Sequence, residues 1–237
     1  VTYVISHSVA AAQRPSALEA RLRQAISGDV RFDGFTRGLY STDASIYQVE
    51  PTGVVFPRSG EDVTRTIELA GEASIPVIAR GAGTSQSGQS IGKGLIVDTS
   101  RYLDDVLDFD PTARRVVVRP GLVLDQLNTF LRPHGLFFPI DVATSSRATL
   151  GGMAGNNSAG SRSIRYGHMV EHVRGIEAVL ASGERVWFGA DRQGSIRTSD
   201  KTWIPEANSP SDRLIADVQA IFEREANELE QRIPKVP

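Results

Sequence analysis

Apolar positions along the chain follow two spacings. Gly53-Val54-Val55-Phe56-Pro57, Ile75-Pro76-Val77-Ile78-Ala79 and Gly94-Leu95-Ile96-Val97-Asp98 are short apolar runs bounded by turn residues, the pattern of buried strands. Between the first two, Val63, Ile67 and Ala70 recur at helical spacing after a helix entry at Ser59-Gly60-Glu61-Asp62. Strand, helix, strand predicts a βαβ unit with a parallel pair. Upstream, Leu18, Leu22 and Ala25 predict a helix over about Ser16 to Ile26, with Ser16 and Glu19 as its capping box. Residues 28–48, rich in Gly, Asp and Tyr, read as loop.

A second region begins near Leu103. Arg115-Val116-Val117-Val118-Arg119 reads as a strand closed by Pro120-Gly121. Leu124, Leu127 and Leu131 mark a helix stopped by Pro133 and Gly135, and Leu136 to Ile140 reads as a short strand. Ile176 to Leu180, a Ser182-Gly183 turn and Arg185 to Phe188 predict a β-hairpin. Residues 190–211 read as a surface excursion, and Leu214, Val218, Ile221 and Phe222 as the stripe of a final amphipathic helix. Gln231 to Pro237 reads as the start of a linker, with more chain or a partner following, and Val rather than Met at position 1 hints at trimming.

Composition narrows the classes. The 237 residues include 26 Lys and Arg against 28 Asp and Glu, a net charge of −2, and 40% are hydrophobic. These are globular proportions that exclude disorder and argue against nucleic-acid binding as the main function. Cys is absent, which excludes disulfides, cysteine-ligated zinc, iron–sulfur clusters and a thiol nucleophile within this chain. No apolar run approaches the roughly 20 residues of a membrane span, and the first residues lack a signal-peptide pattern. The expectation is a soluble, cytoplasmic protein.

Two glycine-rich segments carry the chemistry. Arg80-Gly81-Ala82-Gly83-Thr84-Ser85-Gln86-Ser87-Gly88 directly follows a strand, and its glycines allow backbone N–H groups to converge on a phosphate or pyrophosphate. Related motifs fail: Gln86 stands where a dinucleotide fingerprint needs Gly, Gln89 where a P-loop needs Lys, and Ser87 where a nucleophile elbow needs Gly. The second segment, Thr149 to Gly160, reads as a loop of small residues that lets a flat ligand lie against backbone. Together they predict a long ligand with a diphosphate at one end and a planar ring at the other. His168-Met169-Val170-Glu171-His172 fits a zinc pattern, but it is barely two turns long and no third ligand can be identified, so both histidines read as surface or helix-end residues.

The order and spacing of Val54 to Ser59, Ala79 to Thr84, Val118 to Gly121, Pro139-Ile140-Asp141, Ala148 to Gly160, Arg165-Tyr166-Gly167 and Gly175 to Gly183 resemble the FAD-binding domain of the vanillyl-alcohol oxidase/p-cresol methylhydroxylase flavoproteins. Gly151-Gly152-Met153-Ala154-Gly155-Asn156-Asn157-Ser158-Ala159-Gly160 is similar to the FAD-linked D-2-hydroxyacid dehydrogenases (D-lactate, glycolate and D-2-hydroxyglutarate types), and most of all to their long members with an iron–sulfur module.

The resemblance implies an α+β fold of two subdomains, one small and α/β, one larger with an antiparallel sheet flanked by helices. The implied division is a helix-and-loop extension at 1–48, a pyrophosphate subdomain at 49–105 and an isoalloxazine subdomain at 106–237. By that likeness the cofactor is FAD. Arg80, Gly81, Ala82, Gly83, Thr84, Ser85, Gln86 and Gly88 hold its pyrophosphate. Pro139, Asp141, Thr149, Gly151, Gly152, Asn156, Asn157, Ser158 and Gly160 flank the flavin and ribityl chain, and Ile176 meets the adenine end. Thr84 and Ser85 stand where covalent members place His, so attachment is expected to be non-covalent.

The implied reaction oxidises a small 2-hydroxy acid to a 2-oxo acid, with hydride passing to the flavin and a base taking the hydroxyl proton. The family's substrate-binding cap domain and the iron–sulfur module would lie outside this chain, as would the base, so no catalytic residue is assigned. Loss of the cap would expose apolar surface that a homodimer could cover. The alternatives are a non-catalytic FAD-binding subunit and an NADPH-dependent enolpyruvyl reductase-like flavoprotein.

Overall fold

A computed structural model describes residues 9–189 and 210–233, with side chains described from Ala17 and, in the last stretch, from Asp212. The expected excursion falls almost wholly outside the described residues.

The first half runs α1 (Val9–Ala25), β1 (Asp29–Arg31), α2 (Gly34–Leu39), β2 (Gly53–Phe56), α3 (Gly60–Glu72), β3 (Val77–Arg80) and β4 (Leu95–Asp98). One sheet has the order β1-β2-β4-β3, with β2 and β3 each parallel to β4 and β1 antiparallel to β2. The two strands of the predicted βαβ unit are therefore parallel but not adjacent, because β4 lies between them. Its Leu95, Ile96 and Val97 are buried, as a central strand covered on both faces requires. On one face Val55 and Leu95 meet Leu18, Leu22, Val30, Leu69 and Ala70. On the other, Val54, Phe56 and Ile96 meet Tyr40, Ile78 and Tyr102. Residues of the 1–48 stretch thus contribute to this core. Burying a leucine such as Leu22 contributes about 1.5–3 kcal/mol.

Three local expectations change here. The first helix begins at Val9, so Ser16 lies inside it. The loop expected over 28–48 contains β1 and α2, the latter capped by Asp33, whose carboxylate accepts from Thr36 N at 2.9 Å. The buried face of α3 carries Asp62, Thr66, Leu69 and Ala70 rather than Val63 and Ile67. Two polar residues go inside because their hydrogen bonds are made there. Asp62 accepts from Ser27 N, Ser27 Oγ and Arg58 N, and Thr66 Oγ1 donates to Asp62 O at 2.6 Å.

The second half contains β5 (Val106–Asp110), β6 (Arg115–Val118), α4 (Leu124–Leu131), α5 (Leu150–Gly155), α6 (Ser163–Tyr166), α7 (Met169–His172), β7 (Gly175–Val179), β8 (Arg185–Gly189), α8 (Pro210–Arg224) and α9 (Ala226–Arg232). Its antiparallel strands form two separate hairpins, β5–β6 and β7–β8. A second core joins Leu122, Leu124, Leu127, Leu131, Ile140, Leu150, Met153 and Met169, with Phe109, Val116 and Phe138 packed against it.

Leu136 to Ile140 is not a strand. The stretch keeps its inward and outward alternation, but a side chain supplies what a ladder would: Phe138 N donates to Asn128 Oδ1 at 2.7 Å, and Asn128 Nδ2 donates back to Phe138 O at 3.4 Å. The segment 151–160, expected as a loop, opens as α5. Leu150 and Met153 lie one turn apart and both enter the second core, and Thr149 Oγ1 caps the helix by accepting from Gly152 N at 3.3 Å.

Candidate functional site

The first glycine segment leaves the end of β3 as irregular backbone. Among the described residues, the amides of Ala82 to Gln86 donate to no protein acceptor. No acidic side chain occurs from Arg80 to Ser90, while Thr84, Ser85, Gln86, Ser87 and Gln89 add donors. A group whose oxygens only accept hydrogen bonds suits this surface. Gly83 has φ +68°, a conformation that glycine adopts without strain.

Arg80 lies beneath this loop. Its Nη1 donates to Ser90 O at 3.2 Å and its Nη2 to Thr42 O at 2.9 Å, with the guanidinium 4.9 Å from the Tyr40 ring centroid. Tyr40 donates to Asp98 Oδ2 at 2.6 Å. Burial, and then that bond, pushes the Tyr40 phenol well above its ordinary range, so it remains the donor.

The two segments meet. A Cβ built on Gly81 would fall 2.1 Å from Thr149 Oγ1, so only glycine permits this approach. Farther out, Gln89 Nε2 donates to Asn156 Oδ1 at 3.1 Å. Thr149 is buried, while Gly152, Asn156 and Asn157 are exposed beside the first loop's exposed Ala82 and Gln86. Gly151 rests on Pro120, and Gly160 on Asp141. Asp141 accepts from Arg162 N at 3.0 Å and from Ser161 Oγ at 2.7 Å, which holds its carboxyl below the ordinary range, the Arg162 amide being the larger cause. Pro139 and Asp141 are thereby tied to the far end of the second segment. Ser158 N donates to Met153 O, closing the turn after α5. Ile176 lies on β7, half-exposed, with no contact to either segment among the described interactions.

Sequence reading passed over residues 40–48. Ala44 N donates to Gly83 O at 3.0 Å, Ser90 Oγ to Asp43 Oδ2 at 3.0 Å, and the Tyr47 ring packs where a Cβ on Gly88 would sit. The available signal was Asp43-Ala44-Ser45, a turn in which Ser45 N donates to Asp43 Oδ1 at 2.8 Å. The histidines of the zinc-like pattern diverge: His172 Nε2 lies 2.6 Å from Tyr166 O, while His168 faces Glu171 at 3.9 Å. Among the described residues no group of three or more His, Asp or Glu could hold a metal. No helix among them is long and apolar enough to cross a membrane.

An FAD binding domain model matches residues 51–189. The chain is 44% identical over 170 residues to a D-2-hydroxyglutarate dehydrogenase of Pantoea ananatis, covering 70% of this chain and 17% of that protein. It is 30% identical over 181 residues to the glycolate oxidase subunit GlcD of Bacillus subtilis, covering 75% of this chain and 38% of the subunit. The chain therefore spans well under half the length of these relatives. Among solved structures, alkyldihydroxyacetonephosphate synthase aligns with a TM-score of 0.65 at 21% identity, over 75% of this chain and 36% of that one. Xylooligosaccharide oxidase from Myceliophthora thermophila aligns at 0.62 and 21%, over 73% and 37%. A donor-rich loop without acids, closed against a second segment poor in side chains, fits FAD, and with the family model spanning more than half of its length the chain belongs to the FAD binding domain family.

Proposed function

We propose that this chain is the FAD-holding part of an oxidoreductase that converts a 2-hydroxy acid to a 2-oxo acid. The observation that carries the reading is the junction of the two segments, with Gly81 against Thr149 and Gln89 bonded to Asn156. The loop from Gly81 to Gly88 would hold the diphosphate through the amides of Ala82 to Gln86, which donate to no protein acceptor among the described residues. Arg80 would bring positive charge from beneath, with two of its donors engaged by Ser90 O and Thr42 O. Thr149, Gly151, Gly152, Asn156, Asn157, Ser158 and Gly160 would flank the ring and ribityl chain, with Pro139 and Asp141 supporting them and Ile176 beside the adenine.

The chemistry that FAD would supply when held by these residues is hydride acceptance. Backbone and amide groups of the second segment would orient the ring and exclude water from one of its faces. FAD would be held non-covalently, since the chain has no Cys and carries Thr84 and Ser85 in the first loop. The substrate class is favoured by the names of the relatives, D-2-hydroxyglutarate dehydrogenase and glycolate oxidase subunit. Because the chain matches only 17% of the dehydrogenase, the substrate-handling groups, a cap domain and any iron–sulfur module are assigned to further protein. We assign residues 49–105 and 106–237 to the two subdomains.

Titration of the apo chain with FAD tests this reading. Saturable quenching of flavin fluorescence is expected, with all flavin released by acid, and bleaching by D-2-hydroxyglutarate or D-lactate only once the remaining protein is supplied. No binding of FAD would overturn the proposal, and flavin that survives acid would overturn the non-covalent attachment.

A further inference from the structure

The glycine loop has no secondary structure of its own and lies on a strap that precedes the family-matched span. Three kinds of contact join strap and loop. Ala44 N donates to Gly83 O, Arg80 reaches Thr42 O, and Ser90 Oγ donates to Asp43 Oδ2. Asp43 also accepts from Ser45 N, so one carboxylate fixes both the strap's turn and the loop's far end. Ser90 is buried, and its carbonyl accepts from Arg80. The guanidinium thus bonds a carbonyl on each side of the strap–loop seam. A carboxylate beside a diphosphate site would by itself repel the ligand. Here each of its oxygens accepts a hydrogen bond, one from Ser45 N and one from Ser90 Oγ, and the Arg80 cation bonds the carbonyl of the preceding residue, Thr42.

We infer that Asp43 is a positioning residue for FAD: through Ser90 and the Ala44–Gly83 bond it sets the shape of the Gly81–Ser90 loop that receives the diphosphate. The inference rests on the FAD reading above. Asp43 acts from outside the ligand, by holding the loop's amides converged. With the strap unpinned, the loop would sample other shapes, and each binding event would then pay the cost of ordering it.

The test uses the full chain, with FAD as ligand and three variants: Asp43→Ala, Asp43→Asn and Ser90→Ala. Loss of a charge-assisted hydrogen bond is worth about tenfold to a hundredfold in affinity. Asp43→Ala is expected to weaken FAD binding by that factor, with the melting temperature of the apo chain changed little. At saturating FAD, the ³¹P resonances of the bound diphosphate should move toward those of free FAD. Asp43→Asn keeps an oxygen for the Ser45 amide and turns its Nδ2 to the Ser90 hydroxyl, which can accept, and should restore most of the affinity and the ³¹P shifts. Ser90→Ala removes the same bond from the other side and should reproduce the Asp43→Ala effect without adding to it in the double variant; it also reads the bond if Asp43→Ala fails to fold.

Wild-type affinity and ³¹P shifts in Asp43→Ala or in Ser90→Ala would overturn the positioning role while leaving the FAD reading intact. Failure of the unaltered chain to bind FAD would overturn both.

Discussion

The two glycine-rich segments meet, yet they are held in shape by different means. The first takes its form from residues far away in sequence: Arg80 reaches back 38 positions to Thr42 O, and Ser90 reaches 47 to Asp43. The second has a helix and core anchors of its own, in addition to the backbone bonds from Leu150 N to Leu122 O and from Gly151 N to Pro120 O. Thr149 caps α5 within three residues, and Leu150 and Met153 anchor it in the second core. The difference predicts that changes in the first segment act mainly on ligand affinity, while changes in the second also act on global stability.

That contrast is sharpest at Leu150. Leu150→Ala should destabilise the chain by about 2–5 kcal/mol, because it removes a buried leucine and leaves a cavity. Urea unfolding of the apo chain measures this, and a loss of stability confined to the FAD-bound form would break the comparison. Next in size is Gly81→Ala. Its methyl would lie 2.1 Å from Thr149 Oγ1, so one segment must move, at a cost of about 1–3 kcal/mol. The loss should appear mainly in FAD affinity by calorimetry. Gly81→Ala combined with Thr149→Ala should bind FAD better than Gly81→Ala alone, since the clash is relieved.

The smallest effect concerns pH. The Asp141 carboxyl is held below its ordinary value of 3.8 by the Arg162 amide first and the Ser161 hydroxyl second. A carboxyl lowered in the folded state contributes stability above the ordinary pKa and loses it as pH falls through the folded value. Melting temperatures of the native chain and of Asp141→Asn should therefore differ by a constant amount above about pH 5 and converge below about pH 4. A gap that widens in acid would contradict the assignment.

How much of this was legible in the sequence follows the same division between local and distant. β2 and β4 were legible because unbroken apolar runs between turn residues have few other solutions. The β7–β8 hairpin was legible from Ser182-Gly183, and Gly183 adopts φ +87°. The end of α4 was legible from Pro133 and Gly135. β1 has three residues, too few for a periodic signal, and it exists because Val30 can be buried beside Val55. Leu136 to Ile140 misled because a short apolar run reports burial and not the bonding partner, which is the Asn128 side chain. The meeting of the two glycine-rich segments was legible, as Gly81 against Thr149 and Gln89 bonded to Asn156 show. The strap was not, because Asp43 and Ala44 look like any polar turn until the fold brings Gly83 and Ser90 to them.

The central claim, that both segments close on one FAD, can be tested directly because the chain has no cysteine. Gln86→Cys and Asn156→Cys each place one thiol at an exposed position of one segment. Their maleimide labelling rates are measured over a range of FAD concentrations. The account predicts that FAD slows both reactions with the same half-saturating concentration; protection of one thiol with the other unaffected would contradict it.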